Sequence, residues 1–181
     1  MKKCTIVLAL TMIYLAGFSQ TKKEDWMVGG NISLNTTTGN SDFTFKPNAG
    51  YFFFDNFAAG AELHFSFLKA GDTRTNSWGI GPFARYYFNL KNPDFKPLAH
   101  ASFDFINATT KTSGTKSTNT ITSFYIAGGA SYFINHNVAV EALAGYNRSK
   151  LENQGSEGGF KLQIGFQVYL LGNQVKQVMG K

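Results

Sequence analysis

The sequence predicts an all-β chain, folded as a closed, antiparallel, up-and-down, eight-stranded transmembrane β-barrel. Three observations lead to that class. Apolar and polar residues alternate with a period of two through eight successive segments. Only 15% of the 181 residues are charged, against roughly a quarter in soluble domains, whereas aromatics reach 15%, with 18 Phe and 8 Tyr. Charges inside the eight segments fall on the polar face and never on the apolar one.

The chain opens with residues 1–19, which have the pattern of a secretory signal peptide. Lys2 and Lys3 supply the positive start, Cys4 to Phe18 the apolar stretch, and Gly17 and Ser19 the small residues before a cut at Gln20. The stretch is short for a membrane-spanning helix, and no later run is long and apolar enough for one. Removal of this leader takes the only Cys with it, so the exported chain is thiol-free. Residues 20–25 read as a linker in which Lys22 and Lys23 are offset by Glu24 and Asp25. The basic surplus left is small and unclustered, so nucleic acid is not an expected partner.

Each segment shows one apolar face. The first carries Trp26, Val28, Gly30, Ile32 and Leu34; the second carries Phe43, Phe45, Pro47, Ala49, Tyr51 and Phe53. The third runs from Phe57 to Phe67 and the fourth from Trp78 to Phe88, each with every second residue apolar. Ala99–Phe105, Phe124–Tyr132, Val138–Tyr146 and Phe160–Leu170 complete the set. Strict alternation of this length is a strand pattern. Pro47 and Pro82 fall inside strands, where a residue without an amide proton implies a bulge or a break in pairing.

The opposite face collects Lys46, Glu62, Arg85, Asp104, Glu141 and Lys161. A soluble sandwich would bury the apolar face and hydrate these charges, whereas a membrane barrel turns them inward. The connections favour the barrel. Phe54–Asn56, Asn89–Lys96 and Ile134–Asn137 are short, and the strands entering them end in aromatics, Tyr51–Phe54, Tyr86–Phe88 and Tyr132–Phe133, which suits an interfacial girdle. Thr36–Asp42, Lys69–Ser77, Ala108–Ile121 and Arg148–Gly159 are longer polar loops, as on the outer side of such barrels.

The stretch Pro47-Asn48-Ala49-Gly50-Tyr51-Phe52-Phe53-Phe54-Asp55-Asn56-Phe57-Ala58-Ala59-Gly60 resembles a recurrent hairpin of Bacteroidota outer-membrane β-barrel proteins. Gly81-Pro82-Phe83-Ala84-Arg85-Tyr86-Tyr87-Phe88 is similar to another strand of that group, a family of small barrels of the OmpA and OmpX type. Gln163, Gly165, Val168 and Leu170 fit the C-terminal strand pattern read by the barrel-assembly machinery. The resemblance implies a barrel over 26–171, an outer-membrane location, outer-membrane lipid and the assembly machinery as partners, and a short tail over 172–181. It implies no particular activity.

Eight strands enclose a lumen that side chains can just fill. Counted up from the short turns, Glu62 and Arg85 sit at similar heights, so an ion pair between them is expected, extended by Glu141, Asp104, Lys46 and Lys161. Such a network is either a satisfied plug or a gate whose pairs exchange. Two His-x-Ser pairs, His64/Ser66 and His100/Ser102, match esterase chemistry only in residue type, because both lie on the lumen face and a lipid esterase needs its nucleophile at the lipid. His136 falls in a turn. No Cys or His cluster has metal-ligand spacing and no glycine-rich phosphate loop opens a helix, so no cofactor is expected. The expected role is structural or surface-interacting, with Thr109–Thr120 as the loop best placed for an extracellular ligand or partner. A narrow gated pore, a lipid-modifying enzyme and a secreted ligand-binding barrel are the alternatives.

Overall fold

The computed structural model describes residues 21–37, 40–112, 115–151, 155–172 and 175; the leader sequence lies outside them. Eight strands follow one another: β1 (Trp26–Thr37), β2 (Asn40–Phe54), β3 (Phe57–Ala70), β4 (Thr73–Tyr87), β5 (Phe95–Thr112), β6 (Thr115–Asn135), β7 (Val138–Leu151) and β8 (Ser156–Leu170). Each pairs antiparallel with the next, and β8 returns to β1, so the sheet closes as a barrel. No helix among the described residues is long and apolar enough to cross a membrane.

The period-two pattern becomes an inside-out protein. Leu34, Trp78, Ile126, Phe160 and Leu162 stand exposed on the outer wall, while Lys46, Glu62, Arg85, Asp104 and Glu141 are buried in the lumen. A soluble ligand-binding barrel would have the reverse arrangement. Lipid contact is what makes the outward residues apolar.

The four longer polar loops are a correction. Thr36–Asp42, Lys69–Ser77, Ala108–Ile121 and Arg148–Gly159 are largely strand, and the ladders run almost to the tips, ending at Thr37↔Asn40, Ala70↔Thr73, Thr112↔Thr115 and Lys150↔Ser156. Within Thr109–Thr120, the stretches 109–112 and 115–120 are strand, with Thr109 opposite Thr118. Threonine is β-branched and suits extended backbone, and above the bilayer both of its faces meet water, so hydropathy does not alternate there. At 18 and 21 residues, β5 and β6 far exceed the roughly 9–11 residues that cross a bilayer. They therefore stand clear of it as a raised β-ribbon.

The two mid-strand prolines break pairing on one side without shifting register. Phe45↔Phe65 and Asn48↔Glu62 flank a gap at Pro47, and Ile80↔Phe105 and Phe83↔Ser102 flank a gap at Pro82. Register shifts occur elsewhere, beside the two tight turns, at Phe52/Phe54 and Phe133/Asn135. In the first of these turns Asn56 takes φ +65°, a conformation Asn tolerates better than most residues.

The described part of the stretch expected as a linker, from Thr21 to Asp25, is packed across the end of the barrel where β1 begins and β8 ends. Thr21 and Asp25 are buried. The Asn56 amide donates to the Thr21 carbonyl at 2.7 Å, the Glu24 amide to the Phe52 carbonyl at 2.8 Å, and the Lys96 ammonium to the Thr21 hydroxyl at 2.7 Å. Asp25 accepts from the Lys22 and Gly172 amides, both at 3.0 Å, which ties the start of the barrel to its end. Burial pushes the Asp25 carboxyl above its ordinary range. Of the expected tail, the described residues Gly172 and Val175 are helical, and the Val175 amide donates to the Leu171 carbonyl.

Candidate functional site

The lumen holds the candidate site, built as layers from the terminal end upward. Lowest is an aromatic floor. The stretches expected as a girdle split by alternation: Phe53, Phe54, Tyr86, Phe88 and Tyr132 face outward, but Phe52, Tyr87 and Phe133 point in. With Tyr169 from β8 they pack as tilted and edge-on rings, Phe52–Tyr87 at 5.9 Å and Phe133–Tyr169 at 5.0 Å between centroids.

Above the floor lies a sealed ion pair. Arg85 Nη1 of β4 donates to Glu141 Oε2 of β7 at 2.7 Å, with both side chains fully buried. The other carboxylate oxygen accepts from Ser131 at 2.7 Å and Tyr87 at 3.3 Å, and the Tyr169 hydroxyl lies 3.1 Å away. Arg85 Nε donates to His100 Nδ1 at 3.0 Å, and His100 stacks against Phe83. Buried charges persist only when geometry and further hydrogen bonds replace lost water, and this pair has both.

Higher up, Lys46 of β2 bridges two carboxylates, Glu62 of β3 and Asp104 of β5, the latter at 2.8 Å. Gly81 makes this possible. A Cβ at position 81 would run into the Phe103 carbonyl and Asp104, so only glycine lets the Asp104 strand come this close.

The expected Glu62–Arg85 pair is therefore a correction: the two belong to different layers with different partners. The β3–β4 ladder sets Ala58 opposite Arg85 and Glu62 opposite Gly81, a four-residue offset worth ~13 Å along the strand. The feet of the two strands are nearly level, Phe57 lying opposite Tyr86, and from that level Glu62 stands five residues up and Arg85 only one. Lys161 lies apart as well. It is half-buried at the hairpin-end mouth and makes no ion pair among the described residues. Asn31, Asn48 and Gln167, which sequence reasoning does not single out, are also buried in the lumen. Their alternation with Ile32, Ala49 and Phe166 is the signal that marks them.

Neither His-x-Ser pair reaches lipid. His64, His100 and Ser102 are buried in the lumen, and Ser66 donates to Asp42 at 3.2 Å. His136 is an exposed turn residue. Among the described residues no group of His, Cys, Asp and Glu is placed to hold a metal. Gln163 and Gly165 of β8 face inward and Val168 and Leu170 outward, on the strand that closes the ring against β1. On the raised ribbons the threonines pair across strands, Thr73–Thr112 and Thr75–Thr110 both at 3.0 Å and Thr109–Thr118 at 3.2 Å.

Known structures share this architecture. Neisserial surface protein A aligns with a TM-score of 0.58 at 21% identity, covering 80% of this chain and 94% of that one. The N-terminal β-barrel domain of OprF from Pseudomonas aeruginosa aligns with a TM-score of 0.53 at 16% identity, covering 82% and 98%. OprG from the same organism gives 0.50 at 13% identity, covering 85% and 99%. At these identities the likeness is one of fold. A search of curated proteins returns no match. The family model described as outer membrane protein beta-barrel domain matches residues 5–171, which takes in all eight strands. On that match the chain belongs to the outer membrane protein β-barrel domain family and is a small barrel of the bacterial outer membrane.

Proposed function

We propose that this barrel is a non-conducting, non-enzymatic structural protein that presents its raised hairpins at the cell surface. The observation that carries the reading is the sealed Arg85–Glu141 pair lying across the lumen on the aromatic floor of Phe52, Tyr87, Phe133 and Tyr169. Thr21–Asp25 lies over the same end. Opening a water path would strip a buried pair of its partner, which costs about 3–5 kcal/mol. A gated pore would have to overcome that at each opening.

In this reading residues 1–19 are removed on export, the terminal end faces the periplasm, and Gln163, Gly165, Val168 and Leu170 are read by the assembly machinery. The ribbons rich in Thr, Ser and Lys then meet an extracellular ligand or partner, as long outer loops do in such barrels. Lys46, Glu62 and Asp104 with Arg85 and Glu141 serve as a plug, and Lys161 stands above it at the mouth.

The test is electrical. Purified barrel refolded into planar bilayers is expected to be silent at moderate voltages, after its folded state is confirmed by faster migration of the unboiled sample in SDS electrophoresis. Discrete, reproducible conductance steps would refute the plug and favour the pore.

A further inference from the structure

A row of positive charge crosses the outer wall of the raised hairpins. Lys69 of β3 lies opposite Arg74 of β4, Arg74 opposite Lys111 of β5, and Lys111 opposite Lys116 of β6. Residues paired in this way share one face of the sheet, and all four are exposed. The strands stand about 4.8 Å apart, and like charges set directly opposite each other repel. Among the described residues none of the four makes an ion pair, and Asp72, in the turn between Lys69 and Arg74, is paired with neither. The wall supplies no counter-charge for this row, so the ligand that fits it is an anion with several charges.

The row climbs away from the membrane. Lys69 stands two residues nearer the hairpin tip than Phe67, the last outward aromatic of its strand. Arg74 stands four beyond Trp78, Lys111 six beyond Phe105, and Lys116 eight beyond Phe124. Those offsets run from ~7 Å to ~26 Å along the strands. Head-group phosphates of the surrounding leaflet lie at one depth and match only the lower end of the row. An extended chain that carries charge at regular intervals can follow all of it.

The row beneath it is neutral. Phe67, Asn76, Thr109 and Thr118 are register neighbours in the same order, and beyond Phe67 they offer one amide and two hydroxyls. Such groups both donate to and accept from sugar hydroxyls. A single-stranded nucleic acid needs rings on which its bases stack, and beyond Phe67 neither row has one. We infer that this wall binds a linear acidic polysaccharide from outside the cell. Its carboxylates or sulfates meet Lys69, Arg74, Lys111 and Lys116, and its hydroxyls meet Asn76, Thr109 and Thr118. The inference rests on the reading that the hairpins face the cell surface, and it names the chemistry they meet there. The opposite face of the same sheet is tied by the Thr73–Thr112 and Thr75–Thr110 pairs, so the charges are held in place before the ligand arrives.

Purified full-length exported barrel in phosphatidylcholine nanodiscs, titrated with dextran sulfate, neutral dextran, poly(dT) and lipopolysaccharide, tests this. Dextran sulfate is expected to bind with an affinity that falls as salt is added, and neutral dextran is expected not to bind. Lys111→Gln with Lys116→Gln is expected to bind about tenfold more weakly, roughly threefold for each exposed charge. Lys22→Gln with Lys91→Gln removes the same charge at the other end of the barrel and is expected to bind as wild type does. Each variant is first checked for the heat-dependent band shift. Wild-type affinity in the first variant, an equal loss in the second, or tighter binding of poly(dT) or lipopolysaccharide at matched charge would overturn the inference. On whole cells, Lys116→Cys is expected to react with an impermeant maleimide, because the leader carries away the only other Cys. Labelling without dextran sulfate binding would overturn the polysaccharide alone, whereas absence of labelling would overturn the surface reading and the inference with it.

Discussion

Arg85 and Glu141 meet at 2.7 Å across the lumen, one from β4 and the other from β7, with neither side chain reaching solvent. The strands are not neighbours, and β5 and β6 must curl between them before the pair can form, so it reports on the curved sheet rather than on any one hairpin. Glu141→Gln leaves the guanidinium uncompensated. It should lower stability by about 3–5 kcal/mol, measured as the urea midpoint of the barrel in lipid vesicles. Arg85→Met combined with Glu141→Leu should recover most of that loss, because no charge is then left without a partner. A double variant no better than the single one would mean that the pair itself, and not its integrity, holds the layer.

Tyr169 and Tyr87 touch Glu141 only through hydroxyls at 3.1 and 3.3 Å, while their rings belong to the floor. Tyr169→Phe should therefore cost about 1 kcal/mol by the same urea measurement, and Tyr169→Ala about 3–5 kcal/mol. Similar losses for the two would show that the hydroxyl, and not the packing, matters.

The ribbon formed by β5 and β6 stands above the apolar band, and Ala108 lies opposite Asn119. Replacing residues 109–118 by Asn-Gly should give a type I′ hairpin turn between those positions. The shortened protein should fold with an unchanged band shift and a stability within about 0.5 kcal/mol of wild type. Any surface binding carried by the ribbon should disappear. Failure to fold would show that the ribbon guides assembly.

Gly165 packs where a Cβ would collide with the Asn31 side chain, at the point where β8 meets β1. Gly165→Val should cost about 1–3 kcal/mol through overpacking, and it should slow ring closure in refolding followed by band shift. A restored rate in Gly165→Val with Asn31→Gly would confirm that the collision is the cause.

What the sequence made legible follows from what the bilayer demands. Phe160, Leu162, Ile164 and Phe166 face hydrocarbon, and Lys161, Gln163 and Gln167 cannot, so period two marked β8 and its seven companions clearly. Above the bilayer that demand lapses. Thr109 to Thr112 is polar on both faces, and the strand there was hidden. Partners within the lumen were hidden for another reason. Glu62 and Arg85 could each be assigned to the interior, but their relative height is set by the Gly71–Asp72 turn and the Ala70↔Thr73 register, inside a stretch that reads as loop. Tyr87 and Phe52 were masked by position: lying among rim aromatics, they read as girdle, although alternation sends them inward.

The hydrogen bond from the Gly172 amide to Asp25 joins positions 147 residues apart at one end of the ring. A barrel whose ends meet is defined by the cyclic order of its strands and not by where the chain is cut. The chain enters the ring at Asp25 and leaves it at Gly172 on the same side. A chain re-opened at the Gly71–Asp72 turn, with Asp25 and Gly172 bridged by a few residues, would begin and end at the opposite face while every neighbour in the ring stays the same.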